Sequence, residues 1–180
     1  MKLNELIKQR VSIGKFLDQK VSTDLIIGLL NDAVYAPNHK MREPWRFIIL
    51  QEEEKELFIH RYLSELTDDK QNEVKPSLLK VFSAPMVLAV IMPILKDMRD
   101  ELEDLQANAA MIQNFLLLAT EQKLATFWKT PLYIESDKFK EVLGVQMNEI
   151  IVALVMIGYS DQVPNPKMRK DASSITTIYK

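Results

Sequence analysis

Four short segments set cations, hydroxyls and amides side by side in ways that suit an anionic or polar ring-shaped ligand. Arg10-Val11-Ser12-Ile13-Gly14-Lys15-Phe16 joins a guanidinium, a hydroxyl and an ammonium to a glycine that permits positive φ, a combination able to wrap an anion or the polar edge of a ring. Taken alone, its plainer reading is a helix-exit loop with solvated charges. In Tyr35-Ala-Pro-Asn38-His39-Lys40-Met-Arg42-Glu43-Pro44 the two prolines, Pro37 and Pro44, push the residues before them out of the α region, so Asn38 to Glu43 form an ordered turn or loop that displays polar groups. Trp128-Lys129-Thr130-Pro131 places an aromatic, a cation and a hydroxyl in a loop after a short strand, although a tryptophan by itself is more often core than a cofactor stack. Lys167-Met168-Arg169-Lys170 adds a basic cluster near the end.

Other chemistries are poorly provided for. There is no cysteine, which excludes disulfides and thiolate catalysis, and with only His39 and His60 there is no basis for a zinc centre. His60 lies among Ile59, Arg61 and Tyr62 with no second ligand at metal-binding spacing, and reads as a structural or surface histidine. A formal net charge of -2 argues against a nucleic-acid or anionic-membrane partner. At 180 residues, 47% hydrophobic and 27% charged, the chain is one soluble domain spanning 1–180. Residues 1–10 contain no apolar h-region and no later run is long enough for a membrane span, so a cytoplasmic protein is expected.

The elements that must position these residues follow from periodicity. Leu3, Leu6 and Ile7 predict a short helix over 2–9, and Ser22 or Thr23 caps a second whose core face is Leu25, Ile26, Leu29, Leu30, Ala33 and Val34. Gly28 within it predicts close packing against a neighbour. A strand is expected at Trp45–Leu50, a helix at Glu52–Leu66, and a mobile insertion over 67–83. Met86–Met92 reads as a central strand buried on both faces. Arg99 to Lys123 reads as the longest helix, a central helix or a subunit interface, with Leu102, Leu105, Ala109, Ile112, Leu116 and Ala119 as its stripe. A short helix Ser136–Leu143 stops at Gly144, and Ile150–Gly158 is a further buried strand. The tail, Asp161–Lys180 with Pro164 and Pro166, reads as an extended arm that reaches a partner subunit.

Taken together, Arg10-Val11-Ser12, Ala36-Pro37-Asn38-His39-Lys40 with Glu43-Pro44-Trp45-Arg46-Phe47, Gln113-Asn114 through Ala119, Phe127-Trp128-Lys129-Thr130 and Pro166-Lys167-Met168-Arg169 resemble, in order and spacing, the FMN-dependent nitroreductase family, in particular its small single-domain bacterial members. The resemblance implies an α+β three-layer sandwich, with a mostly antiparallel sheet between helices, and an interlocked homodimer whose C-terminal arms, 160–180, are exchanged. It implies FMN at the subunit interface, with Arg10, Val11 (through its backbone) and Ser12 on the phosphate and pyrimidine side and Lys167 and Arg169 as a basic pair at the phosphate. Tyr35, Asn38, His39 and Lys40 would reach the flavin from the second subunit, and Trp128, Lys129 and Thr130 would line the other side of the ring. His39 on this reading makes a positional hydrogen bond in preference to donating a proton.

The implied activity is hydride transfer from NADH or NADPH through FMN to nitroaromatic, quinone or related unsaturated acceptors in a ping-pong cycle, with no catalytic side chain and no metal. The family often has a second arginine where Val11 stands, glutamine where Glu43 stands, and glycine near Leu124, Ala125 and Pro131. Glu43 would set a carboxylate beside an electron-rich reduced ring unless Lys40, Arg42 or Arg46 neutralises it. These departures keep open a flavin-binding or regulatory protein of little turnover, and a cofactor-free dimeric scaffold is the third reading.

Overall fold

In the computed structural model, which describes residues 2–163 and 165–179, the apolar runs pair into a four-stranded antiparallel sheet of order β1-β2-β4-β3. Its strands are β1 (Arg46–Gln51), β2 (Met86–Pro93), β3 (Ala125–Lys129) and β4 (Glu149–Gly158). The sheet separates two helical layers. One holds α2 (Thr23–Ala33) and α5 (Met98–Glu121), with α1 (Leu3–Gln9) against α5; the other holds α3 (Glu52–Ser64), α4 (Asp68–Phe82) and α6 (Asp137–Leu143).

Period-two alternation explains why the central strands read as unbroken apolar runs. In β2, Met86, Leu88, Val90 and Met92 face the α2/α5 layer, while Val87, Ala89 and Ile91 face the α3/α4/α6 layer. The β2–β4 register slips by one residue between Val90 and Ile91, a bulge that puts the neighbours Val152 and Ala153 on the same side. Gly158 closes β4 where a Cβ would lie 2.7 Å from both Phe16 and Pro85.

Four expectations change. Residues 67–83 are no loose insertion: Asp68–Phe82 is a 15-residue helix that buries Leu78, Val81 and Phe82. Val74, Leu78, Val81 and Phe82 do repeat at helical spacing, but Pro76 and a polar first half conceal it. On α5 Ile112, Leu116 and Ala119 are buried as expected, but ahead of them the buried stripe passes through Asp104, Ala107, Asn108 and Met111, and Leu102 is 53% exposed with Leu105 beside it at the surface. Gly28 is exposed, and a Cβ added there would meet nothing within 4 Å, so no neighbour within the chain explains it. Gly14 is not among the positive-φ residues; what it provides is room, since a Cβ there would lie 3.1 Å from the Phe127 ring.

Ser22 is the cap of α2, its hydroxyl accepting from Leu25 N at 3.4 Å. The described part of the tail is exposed beyond Ser160 and contains one short 3-10 turn, Ala172–Ile175, and no strand. Pro164 and Lys180 lie outside the described residues.

Candidate functional site

α1 ends where Arg10 N donates to Leu6 O at 2.9 Å and the Arg10 backbone turns extended. The chain then runs beside β3: Ser12 bridges Thr126 in the parallel sense, and Ile13 N donates to Thr126 O at 3.0 Å. The start of the tail is tied to the same segment, Leu17 N donating to Tyr159 O at 2.8 Å and Ser160 Oγ to Lys15 O at 2.8 Å. Beyond them Val163, Lys167 and Arg169 lie beside Arg10.

Two adjoining clefts result. The first, of about 590 Å³, is lined by Lys8, Arg10, Val11, Gln113, Lys167 and Arg169 among others. The second, of about 500 Å³, shares Arg10, Val11, Lys167 and Arg169 and adds Ser12 and Phe127. Neither lining contains a carboxylate, and among the described residues none of Lys8, Arg10, Lys167 and Arg169 pairs with an acid. In a chain whose acids outnumber its bases, these unneutralised cations give one cleft a local positive charge suited to an anion. A phosphate monoester of roughly two negative charges matches that donor set. Arg169 Nη1 also donates to Lys167 O at 2.9 Å, which fixes the spacing of the two basic side chains in the arm.

The 38–43 loop is built differently. Asn38 turns its amide inward, its Nδ2 donating to Ala36 O at 3.4 Å and its Oδ1 accepting from Glu43 N at 2.9 Å. Lys40, Met41 and Glu43 all have left-handed backbones, with φ of 53°, 52° and 48°. A non-glycine residue held there costs roughly 1–2 kcal/mol, so beside its own bonds the loop draws on something outside it to keep its shape. That something is the first part of α5: Arg42 Nε donates to Asp104 Oδ1 at 2.8 Å, Nη2 to Asp100 O at 3.1 Å, and Asn108 Nδ2 donates to Pro44 O at 2.8 Å.

Arg42 also lies 3.4 Å from Asp100 and Glu103, and His39 Nε2 is 3.7 Å from Glu103. The hydrogen bond to Asp104 raises the Arg42 pKa above its ordinary value against the opposing effect of desolvation. At Glu103 desolvation works against the charge, but His39, Arg42 and Arg99 outweigh it and hold the carboxyl below its usual pKa. Arg46 is committed too, to Glu149, whose pKa its hydrogen bond lowers. Neither arginine is therefore available to Glu43.

Trp128 and Lys129 belong to β3 itself, with Thr130 the first residue beyond it. Alternation sends Trp128 to the α2/α5 face and Phe127 to the other, and Lys129 Nζ sits 3.8 Å above the Phe127 ring. Phe127 also joins the second cleft to a smaller one that contains Trp128, Lys129 and Thr130.

One chain thus assembles Arg10, Val11, Ser12, Lys167 and Arg169, with the Trp128–Thr130 segment alongside. It does not bring Asn38, His39 and Lys40 to them. The loop grips α5 at Glu103, whereas the cleft meets α5 at Gln113, ten residues and about 15 Å of helix rise away. Tyr35 is 88% exposed and lines neither cleft. Sequence reasoning missed Lys8 and Gln113 as site residues; the signal for Lys8 was its place just before Arg10 at the end of α1, and for Gln113 a polar pair in the middle of an apolar helix. Among the described residues no set of three or more acidic, histidine or cysteine side chains is arranged to hold a metal, and no helix is long and apolar enough to cross a membrane.

A helix–sheet–helix sandwich with a carboxylate-free basic cleft between its N-terminal segment and its tail defines the class. Residues 7–159 match the model of the nitroreductase family, and the chain belongs to that family. YfhC of Bacillus subtilis (strain 168), a candidate NAD(P)H nitroreductase by name, is 31% identical over 175 residues, or 93% of this chain and 89% of that one. A nitroreductase-like family protein from Bacillus cereus superposes with a TM-score of 0.92 at 32% identity, covering 100% of this chain and 97% of that one. A nitroreductase candidate from Desulfovibrio desulfuricans, crystallised with FMN, shares the fold at a TM-score of 0.76 and 19% identity over 98% of this chain and 96% of that one.

Proposed function

We propose that the chain is an FMN-dependent oxidoreductase that takes hydride from NADH or NADPH and passes it to nitroaromatic, quinone or related unsaturated acceptors. The observation that carries this reading is the cleft of Lys8, Arg10, Lys167 and Arg169, free of carboxylates, in a member of the nitroreductase family. The names of YfhC and of the FMN complex point the same way. Bound FMN would supply hydride uptake and delivery, in two half-reactions that use one open face and so follow a ping-pong order.

The chain's share is binding and orientation. Arg10, Ser12 and the Val11 backbone hold the phosphate and the pyrimidine edge, Lys167 and Arg169 hold the phosphate, and a cation near that edge favours the extra negative charge of the reduced state. Trp128, Lys129 and Thr130 line the ring. Tyr35, Asn38, His39 and Lys40 come from a second copy in a homodimer, a reading supported by the separation of about 15 Å within one chain and by exposed Leu3, Ile7, Leu102, Ile175 and Ile178. Crossing of the C-terminal arm onto the partner subunit beyond Arg169 and a cytoplasmic setting, where reduced nicotinamides are available, belong to the same proposal.

The test is reconstitution with FMN, anaerobic bleaching by each nicotinamide, and initial velocities with nitro, quinone and enone acceptors. Yellow protein with parallel double-reciprocal lines is the expected result. Protein that binds no FMN would overturn the reading, and intersecting lines would overturn the ping-pong order. A second reading, a flavin-binding protein of little turnover, is favoured by Glu43, which neither Arg42 nor Arg46 is free to neutralise. Reduction that stalls with every acceptor would support it.

A further inference from the structure

We propose that Arg42 is the positioning residue that holds the 38–43 loop in one shape, and that through this loop it sets how tightly flavin is bound; the second half of the proposal rests on the flavin reading above. The loop contains the left-handed, non-glycine residues Lys40, Met41 and Glu43 and a single 3-10 turn, His39–Met41. Its internal bonds, Glu43 N to Asn38 Oδ1 and Arg42 N to His39 O, tie it to itself and not to the body of the protein. Asn108 grips Pro44, beyond the loop's end. Within the loop the Arg42 side chain makes the firm attachment, reaching Asp104 Oδ1, Asp100 O, Asp100 Oδ1 and Glu103 Oε2 on two successive turns of α5.

The attachment is selective for arginine. Asp104 is only 1% exposed, and its Oδ2 has no hydrogen-bond partner, so the guanidinium on Oδ1 is what makes a buried carboxylate tolerable there. A planar fork spans acceptors at three residues at once; an ammonium reaches them one at a time. Asn38, His39 and Lys40, which precede the clamp in the same loop, are among the residues assigned to the partner's flavin.

Arg42→Met alone strands a buried charge and is the variant most prone to misfold. The double variant Arg42→Met/Asp104→Leu removes both partners, and Arg42→Lys keeps a charge opposite Asp104. Hydrogen exchange at the Arg42, Glu43 and Trp45 amides and FMN affinity by fluorescence quenching are measured on the full chain. In the double variant, exchange at these amides is expected to accelerate about tenfold while that of β2 stays slow, and the FMN Kd to rise about tenfold. Arg42→Lys falls between, and decides the matter if the double variant does not fold. Unchanged exchange in the variants overturns the clamp. Faster exchange with unchanged FMN affinity overturns its link to flavin. If the wild-type protein binds no FMN, the flavin reading fails while the exchange experiment still judges the clamp.

Discussion

At the scale of single residues the cleft acts through charges that nothing else among the described residues neutralises. Arg10 and Arg169 line both halves of it. A charge-assisted hydrogen bond contributes about 1.5–3 kcal/mol, so Arg10→Ala and Arg169→Ala are each expected to weaken FMN binding roughly 10- to 100-fold, with thermal stability of the FMN-free protein unchanged. Isothermal titration with FMN and with riboflavin separates the causes: Arg169→Ala should lose affinity for FMN and not for riboflavin, which lacks the phosphate, while Arg10→Ala should lose some for both and more for FMN. Equal losses for both would assign the arginines to the ring. Why these residues were legible and Lys8 was not is a matter of locality. Arg10 and Ser12 share a segment with their own signature, whereas Lys8 joins the site only because α1 packs along α5 and the tail returns over it.

A second residue-scale effect concerns acid. Arg46 donates to Glu149 across the β1 end of the sheet, and this lowers the Glu149 pKa below its ordinary 4.5. A carboxylate whose folded pKa lies below its unfolded one stabilises the fold above the unfolded value and loses that contribution as pH falls through the folded one. Stability should therefore decline below about pH 4.5 more steeply in the wild type than in Glu149→Gln. Urea midpoints at pH 7 and at about pH 3.5 check this: the variant is weaker at pH 7, and the gap narrows at the lower pH. A gap of unchanged size would mean that the charge of Glu149 contributes nothing.

At the scale of elements the sequence is most readable where one period dominates. The β2 and β4 runs, the Ser22 cap and the Gly144 stop of α6, with φ at 78°, follow directly from residue types. It is least readable where two signals compete. In α4 the helical spacing of Val74, Leu78, Val81 and Phe82 is interrupted by Pro76, which removes a donor, and preceded by the polar run Asp68–Glu73, so tertiary burial and not propensity decides the outcome. On α5 the leucines at 102 and 105 look like core, yet Asp104 and Asn108 face inward, where they hold Arg42 and Pro44, and Met111 packs in the core beside α2. For α4 the consequence is testable. Leu78 is fully buried in the cluster beneath α3, α4 and α6, and Leu78→Ala should cost about 2–5 kcal/mol. Pro76→Ala at an exposed helical position should instead raise the melting temperature, because it restores an i→i−4 bond. If both substitutions were neutral in thermal melts, residues 68–82 would be the loose insertion that their composition suggests.

At the scale of the whole molecule the question is which copy of the chain completes which site. The cleft group, Arg10, Lys167 and Arg169, and the loop group, Asn38, His39 and Lys40, lie at separate stations along α5. Apolar side chains on α1, α5 and the tail remain uncovered in one chain, as expected of a surface made to meet another. If the loop of one subunit serves the cleft of its partner, mixed dimers discriminate. One chain carries Arg10→Ala with Arg169→Ala and an intact loop; the other carries Asn38→Ala with Lys40→Ala and an intact cleft. Each homodimer has two damaged sites. In the mixed dimer an exchanged arrangement gives one site with both defects and one with neither, so tight FMN binding returns at half the sites. A site built within a single chain gives two damaged sites in the mixed dimer as well, and no recovery. Titration of tagged, purified mixed dimers therefore decides between shared and separate sites without reference to turnover.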